Sequence, residues 1–465
     1  MKFSYVIYSL LAIGLSACAT TRLPAPAKSA EALAEQFNSR SLKDAGLQGF
    51  LVENLGRAPE TWNSDTLSWV AFYFNPSLQI ARAQWAASRA AQQTMGERPN
   101  PIITLSPGFN SNHEVTVSPW FPAINLDFLW PTSDKRARQQ DIARAEAEAA
   151  RLAVLATVWQ VRVELRAALT GAENADRRLI ALRTQAQLQQ SVLELLEQRL
   201  EAGSAAAADV AVARIAALRS EAAAAEVGSQ CLAARTRTAT ALGLPVGALS
   251  GIRLSVAPPS STQFAADALM AARQHSLQSR SDVLAALAKL RAREAGLALE
   301  IAKQVPDFHL GPGYQWDQGA SKWSVALTFE LPIFHRNEGP IAEAAARRDE
   351  AAAQLSAVQA LAVAGIETAV ADRASTGTAL DHARRAHAEI EKQNALVAQR
   401  FALGAADRLE VLTARLDLAT AEAALADASA AVRVADGQLE DALQIPFPRL
   451  TALADDARVR SNRHP

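Results

Sequence analysis

Few side chains in this sequence could carry chemistry, and their spacing excludes most reactions. His309, His335, His382 and His387 are scattered, with no HExxH pair and no methionine cluster beside them. Serine and histidine occur without the neighbours that activate a nucleophile. Gly311-Pro312-Gly313 lies inside an alternating run rather than ahead of a helix, so it is not a phosphate loop. The two cysteines, Cys18 and Cys231, form no CxxC pair and no zinc spacing. No catalytic residue, metal or cofactor is expected. Asp209 and Asp407 each stand just past a glycine turn. A carboxylate there can cap a helix N-terminus. Repeated around a symmetric assembly, it can instead form a charged ring that gates and selects cations.

Cys18 has its own context. Met1-Lys2 is a short basic start, residues 3–14 are an apolar core of signal-peptide length, and Leu15-Ser16-Ala17 precedes the cysteine. This resembles a bacterial lipobox, in which the cysteine is lipidated and becomes the first mature residue. An ordinary signal peptide cleaved after Ala17 or Ala19 is the alternative. By resemblance to lipoprotein sorting rules, Ala19 rather than Asp favours the outer membrane. Several acyl chains at about 0.8 kcal/mol per buried methylene would make such an anchor permanent. Cys231 then reads as a buried small hydrophobe on a helix.

The elements that must position these residues are strands set in a helical chain. Ser324-Val-Ala-Leu-Thr-Phe-Glu-Leu-Pro332 alternates, with Val325, Leu327, Phe329 and Leu331 on one face. Ala123-Ile-Asn-Leu-Asp-Phe-Leu-Trp-Pro131 repeats it 201 residues earlier, Ile124 matching Val325 and Phe128 matching Phe329. Residues 102–109 and 308–316 alternate as well. Two hairpins are expected, about 102–131 and 307–332. Phe109, Phe128 and Trp130 face outward, and Asn125, Asp127, Gln315 and Thr328 lie on the opposite face. Strands of eight to eleven residues are long enough to cross a bilayer when tilted.

The remainder favours helix. Hydrophobic residues make up 49% of the 465, much of it alanine, while aromatics make up only 6%. Alanine is the best helix former and lets helices approach closely. The net charge of −1 gives no electrostatic argument for nucleic acid. Beyond the N-terminus no run of eighteen apolar residues occurs, so no transmembrane helix is expected in the mature chain. Asn75-Pro76-Ser77 opens a helix reaching about residue 97. After Pro131, with Ser133 or Asp134 as cap, a second helix runs to about Leu200. At about 1.5 Å per residue it is on the order of 100 Å long, a coiled-coil dimension. Gly203 breaks it, and a third helix covers 205–242.

The second half repeats the first. Residues 281–304 repeat the helix at Asn75, and Pro306-Asp-Phe-His-Leu-Gly-Pro-Gly-Tyr314 repeats Pro101-Ile-Ile-Thr-Leu-Ser-Pro-Gly-Phe109 at an offset of 205. The offset then falls to 201, so the second hairpin loop is four residues shorter. Gln198-Arg199-Leu200-Glu201-Ala202-Gly203 matches Gln399-Arg400-Phe401-Ala402-Leu403-Gly404. At that offset Asp209 aligns with Glu410, so Asp209 and Asp407 are not equivalents. Such an even repeat marks a duplication. In each half the two short helices together match the long one in length. They can therefore stack end to end beside it, with residues 245–277 and 446–453 as a girdle at the join.

The expected organisation is a signal peptide (1–17), a lipidated N-terminal segment (18–68), a first repeat (69–245), an equatorial linker (246–277), a second repeat (278–447) and a tail (448–465). Four amphipathic strands cannot enclose a barrel. Three copies give twelve, an even number suited to an outer-membrane barrel.

These features together resemble the TolC-type outer-membrane efflux family, in its lipoprotein branch. The motifs that carry the resemblance are Leu15-Ser-Ala-Cys18, Asn75-Pro76-Ser77-Leu78, Leu331-Pro-Ile-Phe-His-Arg-Asn-Glu-Gly339 and Arg400-Phe-Ala-Leu-Gly404 with Leu409-Glu-Val-Leu412. The third is most similar to members paired with heavy-metal resistance pumps. The resemblance implies a mainly α protein with a small β part. It also implies a homotrimeric channel-tunnel in outer-membrane lipid, a 12-stranded β-barrel on a long helical barrel, that serves as a passive export conduit. Its implied partners are a periplasmic adaptor (membrane fusion protein) and an inner-membrane RND-type pump. The adaptor would dock at tips carrying Arg199, Leu200, Gly203, Arg400, Phe401 and Gly404, near which the tunnel constricts; Asp209 and Asp407 are the gate candidates. Two other readings stay open: a type I protein-secretion channel, and a periplasmic coiled-coil scaffold lipoprotein.

Overall fold

The computed structural model describes residues 29–111, 118–252 and 276–444. Cys18, most of the expected linker and the C-terminal tail lie outside them. A separate N-terminal unit ends at Ser41 and contains helix α1, Ala30–Asn38, capped by the Ser29 side chain.

The second unit begins with α2 (Ala45–Leu55), α3 (Ser64–Phe74) and α4 (Pro76–Thr94), followed by β1 (Ile102–Ser106) and β2 (Ala123–Trp130). The long helix α5 (Lys135–Glu201) and α6 (Ala207–Leu242) complete the first half, and a short 3-10 turn covers Val246–Leu249. The second half has α7 (Ser281–Ala302), β3 (Phe308–Asp317), β4 (Ala320–Phe329), α8 (Glu338–Ala402) and α9 (Arg408–Leu443).

The helices form a layer four wide at both levels. Near the sheet the packing order is α4, α5, α7, α8; toward the tips it is α6, α5, α9, α8. The short helices meet end to end, as their summed lengths suggest. Asn75 caps α4 by accepting from Ser77 N (2.9 Å), and its amide donates to Ala241 O at the end of α6 (2.9 Å). Gly243 is left-handed there (φ 72°), and a Cβ on it would lie 2.5 Å from Phe74 O. In the second half Gln444, also left-handed, ends α9, and its side-chain oxygen accepts from Ser281 N (2.8 Å) at the start of α7.

The main core was not legible in the sequence. Leu47, Leu51, Leu67, Trp69 and Phe72 of α2 and α3 are buried against Leu78 of α4, Leu165 and Leu169 of α5 and Leu242 of α6. Residues 42–74 therefore form the apolar packing beside the helix join. Most of these partners are distant in the chain, Leu165, Leu169 and Leu242 above all, so no local pattern announces the core.

Three details differ from expectation. Neither Ser133 nor Asp134 caps α5 with its side chain; both are left-handed (φ 53° and 56°) and make the turn itself. β1 stops at Ser106 because Pro107 has no N–H to donate. Pairing resumes only as a bridge between Phe109 and Trp120, and Gly108 leaves room for the Phe121 ring. Finally, α8 contains an eighteen-residue stretch of mean hydropathy 1.3, although only 17% of it is buried. Alanine raises that average without a continuous apolar run.

Candidate functional site

The four strands form one antiparallel sheet in chain order, β1-β2-β3-β4. The Gln318-Gly319 turn has positive φ at both residues (52° and 88°), as a two-residue type I′ hairpin requires. Hydrogen-bonded register sorts the side chains into two faces. On the apolar face, Trp130 pairs with Phe308 and Phe308 with Phe329, nearest the helices. Next come Phe128, Leu310 and Leu327, then Ile103 with Leu126 and Pro312 with Val325. At the far end Ile124 pairs with Tyr314 and Tyr314 with Trp323. This face is uncovered: Trp323 is 81% exposed, Val325 74% and Leu327 60%.

Aromatic rings thus bracket a largely aliphatic band. Phe308 and Phe329 meet edge to face at 5.6 Å at one end, and Tyr314 and Trp323 lie 4.8 Å apart at the other. From Phe308 to Tyr314, between the two rows, the strand rises about 20 Å before tilt, so the rows fit within the about 25 Å apolar band of an outer-membrane barrel. Trp130 at one end and Tyr314 and Trp323 at the other suit membrane–water boundaries, because each ring is apolar except for one N–H or O–H that tolerates water.

The opposite face is polar. Asn125 pairs with Gly313 and Gly313 with Ser324, while Gln315 pairs with Lys322 and His309 with Thr328. His309 Nδ1 lies 3.0 Å from Asp127 Oδ2. A Cβ on Gly313 would fall 2.4 Å from Asn125 Oδ1, so glycine lets the polar groups fold over the strand. Asn125, Asp127, Gln315 and Thr328 all lie on this face, as alternation predicts.

A polar clamp joins sheet to helices. Lys135 Nζ reaches Asp307 Oδ1 (2.8 Å) and Val305 O (2.6 Å), and Thr132 N donates to the same carboxylate (2.8 Å). It ties the β2–α5 turn to the α7–β3 turn, 172 residues apart at the Lys135–Asp307 contact. Pairing over such a separation could not be read from spacing.

At the other end of the long helices both tips close in the same way. Gly203 and Gly404 are left-handed (φ 70° and 73°). Ser204 N donates to Arg199 O (2.7 Å) and Gly203 N to Leu200 O (2.9 Å). In the second tip Ala405 N donates to Arg400 O (2.8 Å) and Gly404 N to Phe401 O (3.0 Å). Both are Schellman turns, in which glycine supplies the conformation and the chain reverses tightly. Val192, Leu193, Val210, Ala213 and Leu412 pack the two tips on each other.

The two aspartates have different local roles. Asp407 caps α9, its carboxylate accepting from Glu410 N (2.8 Å), and it bridges to Arg199 (3.1 Å). These contacts, the backbone one foremost, hold its carboxyl below the usual aspartate range. Asp209 is no cap; it sits exposed in the first turn of α6, whose N-cap is Ala206. Arg400 lies 3.6 Å from Glu410, the counterpart of Asp209. Leu200 and Phe401 are partly exposed, while Leu403, which the sequence reading passed over, is 84% exposed. Its position beside the glycine was the available signal. Cys231 is buried on α6, as a small hydrophobe would be.

The structure is similar to solved outer-membrane channels. It matches OprN at 20% identity (TM-score 0.69), covering 91% of this chain and 98% of that one. It matches CmeC of Campylobacter jejuni at 14% identity (TM-score 0.69), covering 94% and 98%. It matches VceC of Vibrio cholerae at 20% identity (TM-score 0.66), covering 82% and 95%. Comparison with curated protein sequences gives no match. The profile of the outer membrane efflux proteins matches twice, over 73–244 and 272–444, once for each half of the duplication. With both halves matched, the chain belongs to the outer membrane efflux protein family and is an outer-membrane channel.

Proposed function

We propose that the protein is the passive outer-membrane conduit of a tripartite efflux system. The observation that carries this reading is the sheet: an exposed aliphatic band between two aromatic rows, backed by a polar face. Four strands and a layer four helices wide per protomer become twelve and twelve in a trimer, the assembly of this family's channels. The polar strand face then lines water, and the helices carry that lumen about 100 Å into the periplasm. Energy comes from an inner-membrane pump.

Several finer assignments belong to this reading. A lipid on Cys18 anchors each protomer to the outer membrane. The tips at Arg199, Leu200, Gly203, Arg400, Phe401 and Gly404 receive the periplasmic adaptor, with Leu403 added for its exposure. Asp209 and Asp407 lie where three copies bring carboxylates around the tunnel end. The segment after β4, Pro332-Ile-Phe-His-Arg-Asn-Glu-Gly339, resembles members that serve heavy-metal pumps, so metal cations are the first cargo to test, ahead of drugs.

The test has two parts. Purified protein in planar bilayers should show discrete conductance steps, and a protein that stays soluble without detergent once delipidated is a scaffold instead. Deleting the gene should then raise sensitivity to cobalt, zinc, cadmium or copper. Loss of a secreted protein with unchanged sensitivity would move the assignment to a type I secretion channel.

A further inference from the structure

Where α4 and α7 flank α5 they leave a groove of about 610 Å3. Four arginines line it from three helices: Arg89 of α4, Arg144 and Arg151 of α5, and Arg291 of α7. Two carboxylates accompany them, Asp141 at 2.9 Å from Arg144 and Glu148 at 2.8 Å from Arg151. Four positive against two negative leaves a formal excess of two positive charges. The chain as a whole carries −1, so the excess is local.

The geometry gives the four arginines different roles. Arg144 and Arg151 are held by acids on their own helix. Arg89 sits over the buried Trp85 ring, 5.6 Å from its centroid, so its approach is fixed by an aromatic face rather than by an acid. Among the described residues neither Arg89 nor Arg291 enters an ion pair. The lining also includes Gln92 and four alanines, among them Ala145 and Ala288, whose methyl groups leave space and offer no counter-charge. Guanidinium forks match the paired oxygens of phosphate and carboxylate groups.

We propose that this groove binds a small polyvalent oxyanion bearing phosphate or paired carboxylates, which bridges Arg89 and Arg291. A passive conduit does not require such a site, so the inference stands apart from the cargo and the pump. The ligand chemistry is shared by a free anion and a phospholipid headgroup.

The test is calorimetric titration of inorganic pyrophosphate and of a short-chain phosphatidylglycerol into the full-length protein in nonionic detergent at low ionic strength. Saturable binding of at least one is expected, weakened about tenfold or more in the Arg89→Ala/Arg291→Ala double variant. The Arg219→Ala/Arg237→Ala variant, altered on α6 outside the groove, should bind as the parent does. Pyrophosphate binding that the lipid does not displace identifies a free anion, and the converse identifies a headgroup. An unchanged thermal melt separates lost binding from lost fold. If the double variant does not fold, Arg291→Gln, at an exposed site on α7, takes its place and should weaken binding in the same direction. No saturable binding to the parent protein, or equal binding by parent and groove variants, overturns the proposal.

Discussion

Arg199 at the end of α5 donates to Asp407 at the start of α9, 3.1 Å away and 208 residues on. The duplication does not repeat this contact. Its counterpart cation, Arg400, lies 3.6 Å from Glu410 within its own half, and the counterpart of Asp407 is Ala206, which has no side chain to cap with. The two tips share one backbone turn but differ in electrostatics, and among the described residues Arg199–Asp407 is the one ion pair between the halves at the tips. The pair belongs to a polar α5–α9 seam that includes Arg162 with Glu440 (3.3 Å), Asn174 with Asp427 (2.9 Å) and the buried Arg433 with Glu173 (3.8 Å).

Asp407→Ala removes a cap and a bridge, while Arg199→Ala removes the bridge alone. The cap is worth about 1 kcal/mol. The exposed bridge is worth about 0–1 kcal/mol in solvent. Hydrogen exchange at residues 408–411 should therefore accelerate markedly in Asp407→Ala and little in Arg199→Ala. Equal acceleration in both variants would contradict the capping role. If the Asp407 ring also gates, the alanine variant changes cation selectivity in planar bilayers.

The pH dependence of this contact follows from its sign. The folded Asp407 carboxyl titrates below its unfolded range, so its stabilisation is complete above that range and is lost as pH falls through the folded value. Exchange at 408–411 should be flat from about pH 8 to pH 5, after correction for intrinsic rates, and should rise only below about pH 4. Release near neutral pH would point to another group.

Leu327 and Thr328 are neighbours on opposite faces of β4. Leu327→Arg should cost about 2–4 kcal/mol if the position lies near mid-bilayer, and Thr328→Arg should be tolerated. Urea unfolding of the lipid-reconstituted protein measures the difference. Equal tolerance at the two positions would refute the barrel reading.

Gly203 and Gly243 share a left-handed backbone (φ 70° and 72°), but their surroundings differ. A Cβ on Gly203 meets nothing within 4 Å, whereas one on Gly243 lies 2.5 Å from Phe74 O. Gly203→Ala should cost about 1 kcal/mol of conformational strain. Gly243→Ala adds a backbone clash and should cost about 1–3 kcal/mol more. Melting temperatures of the two variants compare these effects, and a smaller drop for Gly243→Ala would break the argument for tight end-to-end stacking.

Trp69 is 2% exposed in the core beside the helix join. Its replacement by alanine should destabilise by about 3–5 kcal/mol. Trp62 at the edge of that core is only partly buried, and Trp62→Ala should cost clearly less. Chemical denaturation tests the order. A mild effect at Trp69 would mean that residues 42–74 are not the core beside the helix join.

Much of this protein is determined by local rules that act within a few residues. Alanine content set the helices. Asn75-Pro76 started one, and Gly203 and Gly404 ended two others. Period-two alternation at 123–130 and 308–316 gave the faces of the sheet, because side-chain direction in a strand depends only on sequence parity. The constant offset exposed the duplication, from which the two matched halves followed. Tertiary structure decided what depends on distant residues meeting. It brought Lys135 to Asp307, Arg199 to Asp407 and Asn75 to Ala241 O, and it buried Trp69 and Leu67 against a helix a hundred residues later in the chain. It also gave Asp407 a partner in the other half, while Asp209 stays exposed in a first turn. Local propensity is written residue by residue. Which cation reaches which carboxylate depends on how whole helices pack, and no spacing along the chain encodes that directly.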